Sequence, residues 1–201
     1  MTTKNDQPKK NPPRQPAVNG SATHASAPQA PTPDDVLYSG EDFDTHTGIE
    51  RMVSPYPAEN QPQIAQTFKQ LIDSFGKNIP PIYDIPKNNL ATGFTIILAG
   101  GYAAYTNQTF PDDAIKPLFR QVEQVMRNNP SLTHLSMDEK NAMYQVWIGT
   151  GMYMLGWQSE LAKRPNPPQQ AQMRQAGANI MRSLDVDPDH VRFTASGMGP
   201  R

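Results

Sequence analysis

Hydrophobic positions recur with a helical period in five separate stretches of this chain. The first stretch, residues 61–76, places large apolar side chains at intervals of three and four residues, which is the spacing of one buried helix face: Ile64, Phe68, Leu71, Ile72 and Phe75. Gly76 is a natural end for this helix. The sequence KNIPPIYDIPK that follows contains three prolines and no helical period. We therefore predict an extended connection there.

Two further stretches are apolar on nearly every face. Residues 88–107, NNLATGFTIILAGGYAAYTN, carry no charge, and residues 137–163 carry none in their middle part. A helix that is apolar all round must be buried. Ser136 followed by Glu139 forms a capping-box pattern that predicts where the second of these helices begins. We predict that both helices lie at the centre of the fold.

Glycines interrupt both apolar helices, at a cost of roughly 1 kcal/mol each relative to alanine. They are Gly93, Gly100 and Gly101 in the first helix, and Gly149, Gly151 and Gly156 in the second. Such small residues favour close backbone approach, so we predict that the two helices cross in direct contact. The uncharged stretch from Leu90 to Tyr105 is shorter than the roughly 20 residues of a membrane span. We therefore expect no transmembrane helix.

Two amphipathic patterns, over residues 112–129 and 167–184, complete the predicted set of helices. Beyond residue 184 the helical period is lost, and Val191 and Phe193 alternate with polar residues. That alternation predicts a short extended segment against the helices. The predicted fold class is therefore all-α: a compact bundle of about five helices around two apolar central helices.

The N-terminal part of the sequence has a different composition. Nine of the 21 prolines precede residue 60, and residues 1–34 contain no aromatic residue. A segment with so little apolar surface cannot offset its ordering entropy. We predict a disordered Pro-rich tail over residues 1–57 and a helical domain over residues 58–201.

The last part of the tail, residues 34–57, interleaves acidic residues with apolar anchors. This pattern is typical of segments that fold on contact with another surface. Two interpretations are open: the segment wraps around the helical domain of the same chain, or it folds onto a partner protein. In the second case the candidate partner-binding residues are Tyr38, Phe43, Ile49 and Tyr56.

Composition and motifs offer no catalytic chemistry. The formal net charge is −1, so no basic field favours nucleic acid. Cysteine is absent, which excludes disulfides and thiolate ligands. The histidines follow no metal-binding spacing, and no nucleophile-elbow, phosphate-loop or dinucleotide motif is present. We predict no catalytic, cofactor-binding or metal-binding residues. Trp147, Tyr153 and Trp157 are candidates to line a pocket between helices, and core packing is the alternative.

These observations favour a non-enzymatic helical interaction module whose tail binds a protein. The N-terminus has no apolar signal region, which predicts a cytoplasmic location. An exported or envelope-associated helical protein that supports a surface structure is one alternative, and a small-ligand binder is another.

The order of short motifs also resembles a family of bacterial helical proteins defined only as a domain of unknown function. The motifs are VSPYP before the first helix, NNLATGF at the start of an apolar helix, NNPSL at a helix end, a Leu-Asp-x-Asp turn, and RFTASGM near the C-terminus. The resemblance covers about residues 52–198 and implies a helical fold. It implies no activity and no catalytic residues. Many members of that family begin with an export signal, whereas this chain begins with a polar Pro-rich segment.

Overall fold

A computed structural model describes residues 35–41 and 46–201. In this part of the chain the backbone forms six α-helices and one two-stranded antiparallel sheet, which confirms the all-α prediction. The helices are α1 (Thr47–Val53), α2 (Gln61–Tyr83), α3 (Leu90–Thr106), α4 (Asp112–Arg127), α5 (Met137–Lys163) and α6 (Pro167–Ser183). The strands are β1 (Val191–Thr194) and β2 (Gly197–Pro200), and a 3₁₀ turn spans Pro130–His134.

Helices α3 and α5 form the centre of the bundle. Helix α3 is buried along almost its whole length, because α4, α5 and α6 all pack against it. The Asn89 side chain caps its N-terminus by accepting hydrogen bonds from the backbone N–H groups of Ala91 and Thr92. Helix α5 begins with the predicted capping box between Ser136 and Glu139. None of the helices in the described ranges is long and apolar enough to cross a membrane.

The predicted direct contact between the two central helices is confirmed. A Cβ atom added at Gly100 would lie 2.5 Å from the carbonyl oxygen of Gly151, and one added at Gly151 would lie 2.5 Å from that of Ile96. These distances leave no space for a methyl group. A second close crossing, which we did not predict, joins α3 to α6: a Cβ atom at Gly177 would lie 2.4 Å from the carbonyl oxygen of Gly101.

Helix α2 extends seven residues further than predicted, so the proposed extended connection after Gly76 is wrong. Pro80 and Pro81 lie within its last turn. Proline is compatible with helical φ, and its main cost is the loss of a hydrogen bond to the carbonyl four residues earlier. Here those carbonyls belong to Gly76 and Lys77, which both reach the surface. The helix ends at Asp84, whose backbone is left-handed with φ of 51°.

The described residues before α2 pack onto the helical domain. Leu37, Ile49 and Val53 are buried in its core. Backbone hydrogen bonds fasten the segment to the start of α3, with Ser39 donating to the carbonyl of Asn88 and Leu90 donating to that of Leu37. The folded unit therefore includes residues 35–41 and 46–57, and does not begin at residue 58 as the sequence pattern indicated. The tail predicted over residues 1–34 lies outside the described residues.

The C-terminal segment forms a hairpin on the outer side of α4. Val191 and Phe193 lie in β1, as extended residues, and β1 pairs with β2. The Phe193 ring is buried, with its centroid 4.7 Å from that of Tyr102. Gln121 of α4 accepts a hydrogen bond of 2.7 Å from the backbone N–H of Met198. The strand β2 has no apolar alternation and was not predicted.

Candidate binding cleft

An apolar cleft of about 560 Å³ lies between α2 and α5 and reaches the start of α6. We call it the aromatic cleft. Its lining residues are mostly apolar, with charged and polar groups at the edge: Thr67, Leu71, Met152, Tyr153, Gly156, Trp157, Glu160, Leu161, Arg164 and Gln169. A volume in this range is typical of pockets that hold a small ligand or a few side chains.

Two aromatic residues of α5 dominate the aromatic cleft. Tyr153 and Trp157 are one turn apart, so they share a face of the helix. Their ring centroids are 5.6 Å apart, and the Tyr153 ring also packs 6.1 Å from that of Phe68 on α2. Tyr153 nevertheless remains 36% exposed. Tyr153 and Trp157, two of the three residues predicted as candidates to line a pocket, therefore both lie at this cleft.

Trp147, the third residue predicted for this pocket, lies elsewhere. Its ring packs edge-on against Phe94 of α3, with centroids 5.3 Å apart and planes at 87°. Gly93 makes room for it, because a Cβ atom there would lie 3.3 Å from the indole ring. Trp147 thus packs between the two central helices, as the core-packing alternative proposed, and it does not line the aromatic cleft.

Tyr56 adds a third aromatic side chain near Tyr153. It is 42% exposed, and its own segment is held to α2 by Gln61, whose side-chain amide donates to the Tyr56 carbonyl at 2.9 Å. Burial raises the pKa of Tyr153, and the neighbouring Tyr56 raises it further. Tyr153 therefore stays protonated at neutral pH and retains a hydroxyl that can donate or accept.

The charged edge of the aromatic cleft carries both signs. Glu160 forms a 3.0 Å ion pair with Lys163, and that hydrogen bond lowers the pKa of Glu160. Arg164 follows at the end of α5 and also lines the cleft. Inside this edge, the indole N–H of Trp157 is buried and has no hydrogen-bond partner among the described residues. The cleft thus combines an apolar interior with a polar border.

The four residues predicted from the tail do not form one surface. Tyr38 lies beside the start of α3, where it forms a bridge with Asn89 and donates its hydroxyl to Glu41 at 3.0 Å. Ile49 is buried in the core, so it is not accessible to a partner. Tyr56 alone lies near the aromatic cleft. Phe43 lies outside the described residues.

A buried polar network holds the N-terminal segment in place, and sequence reasoning missed it. The Asn141 side-chain amide donates to the carbonyls of Ser39 and Glu41 at 3.1 and 3.0 Å. Gln145, one turn later, donates to Asn141 and accepts from the backbone N–H of Ile49. Two amides four residues apart in an otherwise apolar helix were the available signal. Their role is to attach residues 35–41 and α1 to α5.

The histidine and acidic side chains of the described residues form no cluster of the kind that holds a metal ion. Within residues 35–41 and 46–201, no group of three histidine or acidic side chains is placed to hold a metal ion. His190 and Asp187, which follow α6, instead pair with each other at 2.7 Å. Asp187 is also hydrogen-bonded to the backbone of Asp189, and these contacts lower its pKa. This acidic stretch therefore forms a hydrogen-bonded turn at the surface.

The described residues define a small all-α protein with an aromatic groove along α5, one of its two central helices. Over residues 5–200 the chain matches the model of the family of unknown function DUF6683, and it belongs to that family. The matched range extends the resemblance seen in the motifs towards the N-terminus. Neither the comparison with curated proteins nor that with solved structures found a match.

Proposed function

We propose that this protein is a non-enzymatic helical interaction module, and that a partner protein binds in the aromatic cleft. The observation that carries the proposal is the pair of aromatic residues Tyr153 and Trp157 in the lining of one apolar groove. Tyr56 is not part of that lining, but it lies close enough to Tyr153 to raise its pKa. Tyrosine and tryptophan are enriched in protein interfaces, and they supply a large share of the binding free energy there.

The geometry of the cleft suits a bulky apolar side chain of a partner. Leu71, Met152 and Leu161 provide an apolar lining, and the volume of about 560 Å³ exceeds that of a single side chain. Glu160 and Arg164 border the groove with opposite charges. An apolar centre with a polar rim is the usual anatomy of a protein interface. We therefore expect a partner helix or loop that inserts one or two large apolar residues.

In this proposal the segment before α2 packs on the helical domain, which is one of the two interpretations that the sequence left open, and it forms part of the binding site. Ile49 and Val53 fasten α1 to the bundle, and Tyr56 follows directly after them. The segment thus positions one aromatic residue near Tyr153. A variant lacking residues 1–57 would lose this element of the fold as well as any contact made by the tail.

The test is affinity capture from native cells with four forms of the full chain: wild type, Tyr153→Ser, Tyr56→Ser and Val125→Ser. Val125 is the matched control, because it is an apolar residue of α4 that is 70% exposed and does not line the cleft. Loss of an interface hot spot costs about 2 kcal/mol or more, which is about thirtyfold in affinity. We expect a protein that is retained by wild type and Val125→Ser and depleted about thirtyfold by Tyr153→Ser.

Circular dichroism melts of the four forms serve as the folding control. The proposal fails if folded Tyr153→Ser and Tyr56→Ser capture the same proteins in the same amounts as wild type. It also fails if Val125→Ser depletes the captured protein to the same extent.

A further inference from the structure

A second cavity, of about 360 Å³, lies on the other side of α5 from the aromatic cleft. We call it the inner pocket. It is enclosed by α2, α3, α5 and the start of α4, and its walls include Ile79, Ile96, Phe110, Ile115 and Leu155. Met152 and Gly156 separate the two cavities and line both. The inner pocket is independent of the residues on which the proposed partner site depends, Tyr153 and Trp157.

One polar side chain in the inner pocket has no partner. Gln158 lines the pocket and is only 5% exposed. Its side-chain amide forms no hydrogen bond with any of the residues that the structure describes. Its amide atoms are not among the fully buried polar atoms without a partner in the described residues, so the amide is accessible from the pocket. A polar group that opens onto a cavity and is not paired with protein is a candidate for ligand recognition.

A hydrogen bond between helices lies at the mouth of the inner pocket. The Tyr83 hydroxyl on α2 donates to Asp112 Oδ1 on α4 at 2.8 Å. Burial, together with this hydrogen bond, raises the pKa of Tyr83 to about 12. Tyr83 therefore remains a neutral donor, and Asp112 places a negative charge at the mouth of the pocket. That charge disfavours anionic ligands.

We propose that the inner pocket binds a small apolar molecule that carries one uncharged amide-like group, which pairs with the side chain of Gln158. A primary amide has both donors and acceptors, so a second amide satisfies it with two complementary hydrogen bonds. A charged group buried against Gln158 would lose more hydration than the amide returns. The apolar walls supply the remaining affinity by burial of the hydrocarbon part.

Three probes of equal chain length test the choice of polar group: hexanamide, hexanoate and hexylammonium. Each is titrated into ¹⁵N-labelled full-length protein, and binding is followed by two-dimensional NMR. The side-chain amide signal that disappears in Gln158→Leu identifies Gln158. We expect saturable shifts of that signal with hexanamide and much weaker shifts with either charged probe.

Variants then locate the site. Gln158→Leu should weaken hexanamide binding about tenfold, which is the effect of one or two lost hydrogen bonds. Gly156→Leu should weaken it, because Gly156 lines the inner pocket and a larger side chain at this position narrows the pocket. Gly199→Leu is the matched control, since Gly199 in β2, like Gly156, has open space around it. Tyr153→Ser alters only the aromatic cleft and should leave hexanamide binding unchanged.

The comparison of the three probes on wild-type protein does not depend on whether any variant folds. The proposal is overturned if hexanamide gives no saturable shift, if either charged probe binds as tightly, or if folded Gln158→Leu binds hexanamide as wild type does. Shifts confined to the aromatic cleft would also overturn it. None of these results bears on the capture experiment, because that experiment tests Tyr153 and Tyr56.

Discussion

Adding one methyl group at Gly151 should destabilise the protein, whereas the same change at Gly156 should stabilise it. Both glycines lie in α5, five residues apart. A Cβ atom at Gly151 would lie 2.5 Å from the carbonyl oxygen of Ile96 and 2.7 Å from its carbonyl carbon. These are backbone atoms of α3, so they cannot rotate away. A Cβ atom at Gly156 meets nothing within 4 Å.

The magnitude follows from two opposing effects. To relieve the contact at Gly151, α3 and α5 must separate by about 1 Å, and a gap of that size forfeits up to about half of the dispersion energy of the facing atoms. Overpacking of this kind costs about 1–3 kcal/mol. Alanine returns roughly 1 kcal/mol through its higher helix propensity. Because the atoms that a Cβ at Gly151 would meet first belong to the backbone, the upper part of the overpacking range applies, about 2–3 kcal/mol. We therefore expect a net loss of about 1–2 kcal/mol for Gly151→Ala and a gain of up to about 1 kcal/mol for Gly156→Ala.

Thermal and urea unfolding, followed by far-UV circular dichroism, measure both changes. For a protein of this size 1 kcal/mol corresponds to about 2–4 °C in Tm. Gly151→Ala should therefore lower Tm by about 2–8 °C, and Gly156→Ala should raise it by up to about 4 °C. Gly100→Ala combined with Gly151→Ala should cost less than the sum, because one separation of the helices accommodates both. A Gly151→Ala variant as stable as wild type would refute the crossing.

Two further predictions concern the N-terminal segment and pH. Deletion of residues 1–34 should leave every described contact in place, whereas deletion through residue 41 removes Leu37 from the core and should cost at least about 2 kcal/mol in urea unfolding; equal midpoints for the two deletions would count against this. The raised pKa of Tyr83, about 12 when folded, favours its neutral form in the native state. That contribution is complete below about pH 10, the unfolded pKa, and is lost as pH rises towards 12. Tyr83→Phe should therefore lose less stability than wild type between pH 9 and 12, and an unchanged pH profile would contradict the raised pKa of Tyr83.

Local signals accounted for most helix positions. The capping box at Ser136 and the uncharged pattern after it predicted α5 at the residues where it is observed. Helix α1 was missed, because it has only seven residues and a helix that short is not stable alone. It exists because Ile49 and Val53 are buried against the bundle. The end of α2 was predicted too early. Two prolines in a helix leave the carbonyls four residues before them without a hydrogen bond, and the cost depends on whether those carbonyls reach the surface. The local sequence does not show this.

The candidate cleft was predictable only in part. Tyr153 and Trp157 share a helix face by simple spacing, and the sequence placed them together. Trp147 lies six residues before Tyr153, about 120° away around the helix at 100° per residue, so helix geometry could have excluded it. Gln158 gave no comparable signal. In the sequence it is one polar residue near the end of an apolar helix. Its proposed role depends on two properties of the folded chain: it lines the inner pocket, and its side chain has no hydrogen-bond partner among the described residues.

The sequence by itself determined the class of fold, the central position of α3 and α5, and their contact through small residues. These properties follow from periodicity, charge and side-chain size, which are local to each helix. The tertiary structure decided that residues 35–41 and α1 belong to the folded unit, that Trp147 faces α3, and that two cavities flank Gly156. Cavities and buried polar partners depend on the distances between helices that are remote in sequence, and no local pattern encodes those distances.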